Sequence, residues 1–152
     1  MAYSGGEGSE DAGLGYLKRS IQFELKRRLS SKAKLVIEGE DGFQHVNARY
    51  SDYKRPWYIA GVRVANEADA IETVNYARLR NIPFVARTGG HSLTTSLRRI
   101  QNAIVIDMRG LNTIKYDASK QQMTIGGGIT TGEFANATFS KGMEVSKCLP
   151  IV

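Results

Sequence analysis

Ile82-Pro83-Phe84-Val85-Ala86 runs directly into Arg87-Thr88-Gly89-Gly90-His91-Ser92: a strand-like stretch closed by a glycine pair and a histidine. Two adjacent glycines at a strand end let the backbone turn sharply and approach a ligand closely, because neither carries a Cβ. Successive N–H groups in such a turn can form a nest for phosphate oxygens. His91 follows at once, which puts an imidazole at the rim of anything bound there. Taken without context, His91 reads more readily as a turn histidine satisfied by backbone. Arg87 is either a surface charge or a cation steadying an anionic group. Thr88 and Ser92 have hydroxyls suited to phosphate oxygens, though both are common turn residues.

Working outward, Ser51-Asp52-Tyr53-Lys54-Arg55-Pro56 leads into Gly61-Val62-Arg63-Val64-Ala65, which reads as a strand. Glu67 to Arg80 reads as a helix, with Ala70, Ile71, Val74 and Ala77 at three- and four-residue spacing. Ala103–Met108 is an apolar run with β-branched residues, suiting a buried strand. Arg109-Gly110-Leu111-Asn112 turns into Thr113–Tyr116, Gln122–Ile125 returns as its hairpin partner, and Gly126-Gly127-Gly128 follows. That triplet is either a plain hairpin exit or a second close approach to a ligand. Thr131–Ser140 reads as a helix. Upstream, Leu14 to Leu29 carries an apolar stripe of Leu14, Leu17, Ile21, Leu25 and Leu29 opposite Lys and Arg, and Leu35-Val36-Ile37 is a short strand before a Gly39–Gly42 turn. Ile71, Val74, Val85, Ile104 and Ile106 are the expected core.

The order strand, helix, strand, Arg-Thr-Gly-Gly-His, Ile-Asp-Met-Arg-Gly-Leu-Asn, Gly-Gly-Gly resembles the FAD-linked oxidases with a PCMH-type (vanillyl-alcohol-oxidase-like) FAD-binding domain, in the berberine-bridge-enzyme-like branch. The resemblance runs from about Tyr50 to Met143. It implies an α+β fold, the N-terminal FAD-binding subdomain of that type, with a small mixed sheet flanked by helices. It implies FAD as cofactor, bound by Arg87, Thr88, Gly89, Gly90, His91, Ser92, Gly126, Gly127 and Gly128, with His91 bonded to the flavin 8α-methyl in a complete domain. A neutral imidazole is the nucleophile such a bond needs. Asp107 is expected to be structural, and His45, outside any motif, a surface or packing histidine.

Many members of this branch have a second tether, a cysteine in a Gly-x-Cys-Pro-x-Val-Gly segment. Here Ser146-Lys147-Cys148-Leu149-Pro150-Ile151-Val152 puts Leu149 at the bonding position when Pro150 and Val152 are aligned. Cys148 is one residue early, which in a strand turns it to the other face. A single tether through His91 is the expectation, with a local bulge restoring Cys148 as the alternative.

Composition sets bounds. The chain has 152 residues, 41% hydrophobic, and suits one domain with a modest core. No apolar run approaches the roughly 20 residues a bilayer span needs, and no basic segment precedes an apolar core at the N-terminus, so no secretory signal is visible and the compartment stays open. One cysteine excludes an internal disulfide framework. The net charge of +6 comes from dispersed Lys and Arg without interleaved aromatics or zinc-finger spacing, so a solvated face is favoured over nucleic acid. The helix near Leu14–Leu29 is expected to pack on the domain rather than lie on a membrane.

Residues 1–13, rich in Gly, Ser and acids, read as a disordered tail; 14–49 as a helical entry segment; 50–152 as the FAD-binding domain, truncated at its C-terminal side. The expected function is the FAD-binding part of an FAD-dependent oxidoreductase acting on alcohols, sugars or alkaloid-like substrates, with hydride passing to flavin and O2 reoxidising it. The alternative is a non-catalytic FAD-binding or interaction module. No catalytic residue and no metal ligand set is assigned, and a small-molecule substrate is expected only for a longer chain.

Overall fold

The computed structural model describes residues 7–92 and 95–144. The elements are α1 (Glu7–Ser20), continued by a π-helical turn over Ile21–Leu25, then β1 (Lys34–Ile37), α2 (Phe43–Asn47), β2 (Tyr58–Arg63), α3 (Glu67–Leu79), β3 (Phe84–Arg87), β4 (Ala103–Asp107), β5 (Ile114–Asp117), β6 (Gln122–Ile125) and α4 (Thr131–Phe139). A four-stranded sheet has the order β1-β2-β4-β3, with β1 antiparallel to β2 and the other pairs parallel. β5 and β6 form a separate antiparallel hairpin. This is the small mixed sheet with helices that the sequence implies.

β4 is central because its side chains are apolar on both faces. Alternation sends Ile104 and Ile106 into a cluster with Ile21, Leu25, Val62, Tyr76 and Ala77, under α1 and α3. Ala103 and Val105 face the other way, against Phe43 and Val46 of α2. The close seat of α2 depends on Gly61 in β2, where a Cβ would come within 2.3 Å of Val46 Cγ2. The entry segment is thus stitched into the sheet through β1 and α2.

α3 begins with a capping box in which Asn66 and Asp69 bond each other's backbone N–H groups. Asp69 also accepts from Ser30 N (2.7 Å), Ser30 Oγ (2.9 Å) and Ala65 N (3.0 Å), so its side chain faces inward, 2% exposed. That fixes the rotation of the helix. Thr73, Tyr76 and Ala77 follow Asp69 into the interior, and Ile71, about 200° round from Asp69, points out at 58% exposure. Ile71 is therefore not a core residue. Val74 and Val85 are half-buried, and Ile104 and Ile106 are buried.

Several boundaries also move. β2 starts three residues before the expected Gly61, two residues after buried Pro56. The N-terminal helix begins at Glu7, within the segment read as a disordered tail, and its regular part ends at Leu25 rather than Leu29. No helix among the described residues is long and apolar enough to cross a membrane.

Candidate functional site

β3 ends at Arg87, paired in register with Asp107 of β4. Asp107 is fully buried and accepts from Arg63 Nε at 2.7 Å and from the Arg109 N–H at 3.1 Å, with Arg87 Nη1 at 3.6 Å. It is a structural anion, as expected. Arg87 is turned inward rather than toward solvent. Its side chain is 14% exposed, and Nη1 also donates to the carbonyls of His45 (3.4 Å) and Val46 (3.3 Å) at the end of α2. Burial pulls its guanidinium below the ordinary value, against the opposing charge of Asp107. His45 is exposed, and its part here is played by its backbone carbonyl.

Beyond Arg87 the loop folds against residues 48–50. Gly90 has φ +71°, and a Cβ there would lie 2.8 Å from the Ala48 carbonyl oxygen, so glycine is required twice over. The Tyr50 N–H donates to the Gly90 carbonyl (3.1 Å), and Arg49 Nη2 donates to the Ser92 carbonyl (2.8 Å). The His91 ring is exposed, stands edge-on to Tyr50 at 6.3 Å between centroids, and lies over Gly89, where a Cβ would meet its Cε1 at 2.8 Å. Just behind, burial pushes the Tyr58 hydroxyl up, with Arg49 and Arg87 pulling the other way.

The second glycine segment joins the first directly. Thr88 Oγ1 donates to the Gly127 carbonyl at 3.0 Å, bringing together loops 39 residues apart in sequence. The triplet divides by role. A Cβ at Gly126 would sit 2.1 Å from the Leu111 oxygen, and one at Gly128 2.0 Å from the Met108 oxygen. Those two glycines serve chain packing behind the loop. At Gly127 a Cβ would meet only Met108 Cε, at an ordinary 3.8 Å, so nothing in the fold itself calls for glycine. Arg109 locks this layer from behind: it donates to the Gly128 carbonyl and grips Glu133 with two bonds of 2.8 Å. Arg109 and the Thr130 cap hold the Glu133 carboxyl well below the usual carboxylate range.

Flavin adenine dinucleotide is an anion with a flat ring system, and the fit can be judged from what the loops present. Among the described residues, no carbonyl or side chain accepts from the N–H groups of Gly89, Gly90, His91 or Ser92. Such donors on a glycine-opened turn beside the exposed Ser92 hydroxyl match a pyrophosphate. The buried side-chain atoms without a partner, Asn47 Oδ1, Arg49 Nε and Arg87 Nε, belong to this junction too. The residues fit. Sequence reasoning missed the 47–50 segment and Arg109. The Thr130-Thr131-Gly132-Glu133 capping-box pattern was available as a sign of the latter's partner. Cys148 lies outside the described residues.

Two glycine loops, one after β3 of the mixed sheet and one after β6 of the hairpin, meet as in a cofactor-binding domain, and comparison with known proteins specifies which. Residues 59–147 match the family described as FAD binding domain, and the chain belongs to that family. An FAD-linked oxidoreductase of Alternaria solani, alt4, is 44% identical over 86% of this chain and 28% of its own length. One from Aspergillus fumigatus is 30% identical over 77% of this chain and 23% of its own. The chain thus spans about a quarter of the length of these relatives. Among solved structures, BBE-like 1 of Physcomitrella patens has TM-score 0.67 at 22% identity, over 77% of this chain and 26% of that one. Xylooligosaccharide oxidase from Myceliophthora thermophila has TM-score 0.69 at 15% identity, over 80% and 25%. At these identities the structures share the fold.

Proposed function

We propose that the Thr88–Ser92 loop and Gly127 form one face of the FAD site, and that His91 is the covalent tether of the flavin in the assembled enzyme. The observation that carries this is the Thr88–Gly127 bond, which fuses the two glycine loops into a single surface beside the exposed His91 ring. The pyrophosphate is received by the N–H groups of Gly89 to Ser92 and the hydroxyl of Ser92, while the Thr88 hydroxyl is committed to the Gly127 carbonyl. Gly126 and Gly128 let that surface pack closely on the turn behind it. Arg87 braces the loop from within, its Nη1 being engaged by Asp107 and by the end of α2. A neutral His91 ring nitrogen would add to the 8α carbon once that methyl has lost a proton, the electron pair passing into the flavin and from there to O2 as the imidazole proton leaves, and the tether would prevent cofactor loss.

FAD held there would supply the redox chemistry, as hydride acceptor and electron donor to O2, while these residues supply binding, orientation and electrostatics. On this reading the whole enzyme oxidises an alcohol, sugar or alkaloid-like substrate. Flavin-loaded protein, denatured and run on a gel, should fluoresce under ultraviolet light. His91→Ala should lose that fluorescence and Cys148→Ala should keep it. Persistence in His91→Ala would remove His91 as the tether.

A further inference from the structure

The segment Asn47-Ala48-Arg49-Tyr50 lies against the His91 loop, and its two hydrogen bonds to that loop each fix a carbonyl. The Tyr50 N–H takes the Gly90 oxygen and Arg49 Nη2 takes the Ser92 oxygen. The chain has no cis peptide bonds among the described residues. In a planar trans peptide the N–H points opposite to the C=O, so pinning the Gly90 oxygen toward Tyr50 aims the His91 N–H away from this segment. The Tyr50 ring edge then limits how far the imidazole can swing.

Arg49 is well placed for this. Its Nη2 acts across 43 residues, while its Nε is buried without a partner, as is Asn47 Oδ1 two residues earlier in the chain. Buried orphan atoms are uncommon in folded proteins and tend to gather where a ligand or chemistry completes them. A plain structural turn would satisfy its own polar atoms.

We propose that Arg49 is a positioning residue for His91: by holding the Ser92 carbonyl, with the Tyr50 backbone holding Gly90, it presents the imidazole and the loop N–H groups to the flavin. This rests on the FAD reading above. Removing the guanidinium frees the loop to rotate its peptides, so that its donors no longer converge.

The test uses the 15N-labelled chain as wild type, Arg49→Met and Arg49→Lys, with added FAD as probe. Arg49→Met should lower the heteronuclear NOE of the Gly89, Gly90, His91 and Ser92 amides, leaving those of Ile104 and Val105 unchanged. FAD affinity should fall about tenfold, the scale of one charge-assisted hydrogen bond. Arg49→Lys should restore part of both, since an ammonium can reach one carbonyl. Unchanged loop amides in both variants would overturn the positioning role. An equal loss of order at Ile104 and Val105 would overturn it too, by making Arg49 a general support of the fold. If the loop amides respond but wild type takes up no FAD, the cofactor reading fails while the clamp stands.

Discussion

At Asp69 the donors of Ser30, Ala65 and Asn66 converge on one carboxylate that is almost out of solvent. Burial alone would raise its pKa; the hydrogen bonds outweigh it and hold the group below the ordinary value. A carboxyl whose folded pKa is depressed stabilises fully above its unfolded pKa, near 3.9, and loses that contribution as pH falls. Asp69→Ala should cost about 2–4 kcal/mol at pH 7, from the lost cap and the stranded N–H groups. In urea denaturation, the gap between wild type and Asp69→Ala should stay constant down to about pH 5 and then shrink. A gap that widens below pH 4 would refute this. The same residue explains why the core was only partly legible. Hydrophobic spacing nominated Ile71, whereas a polar anchor at Asp69 set the helix rotation and turned Ile71 out.

Elements were easier to read than their edges. The apolar run of β4 ahead of Asp107 and the glycine turn after β3 follow from residue types alone, because a strand buried on both faces is largely apolar. Start points shifted where tertiary contacts decide them, as at β2, which buried Pro56 and Tyr58 draw toward the core. Ile104→Ala or Ile106→Ala should cost about 2–5 kcal/mol. Ile71→Ala should stay within about 0.5 kcal/mol, as at other exposed sites. Comparable losses at all three positions would mean the α3 rotation is wrong. Of the site, the two glycine loops were visible in sequence, while their joining was not. Thr88 and Gly127 lie on different elements, and the Asn47–Tyr50 clamp has no signature beyond common polar residues. The triplet's division of labour is likewise a tertiary property. Gly126→Ala and Gly128→Ala should each lower stability by about 1–3 kcal/mol, because the added methyl meets backbone oxygen.

Across the whole molecule, the sheet, the α3 cap and the Arg63–Asp107–Arg87 cluster hold a rigid floor, and the two glycine loops stand on its edge. Net charge of +6 favours a dianionic dinucleotide at long range, so FAD affinity should weaken as salt rises from about 0.05 to 0.5 M. Insensitivity to salt would point to purely short-range recognition. If Gly127 is glycine for the cofactor rather than for the fold, thermal stability and FAD affinity of Gly127→Val separate from each other. The melting temperature should stay within about 2 °C of wild type, since an added Cβ there meets no clash, and FAD binding should weaken at least about tenfold. Unaltered FAD affinity in a folded Gly127→Val protein would contradict it.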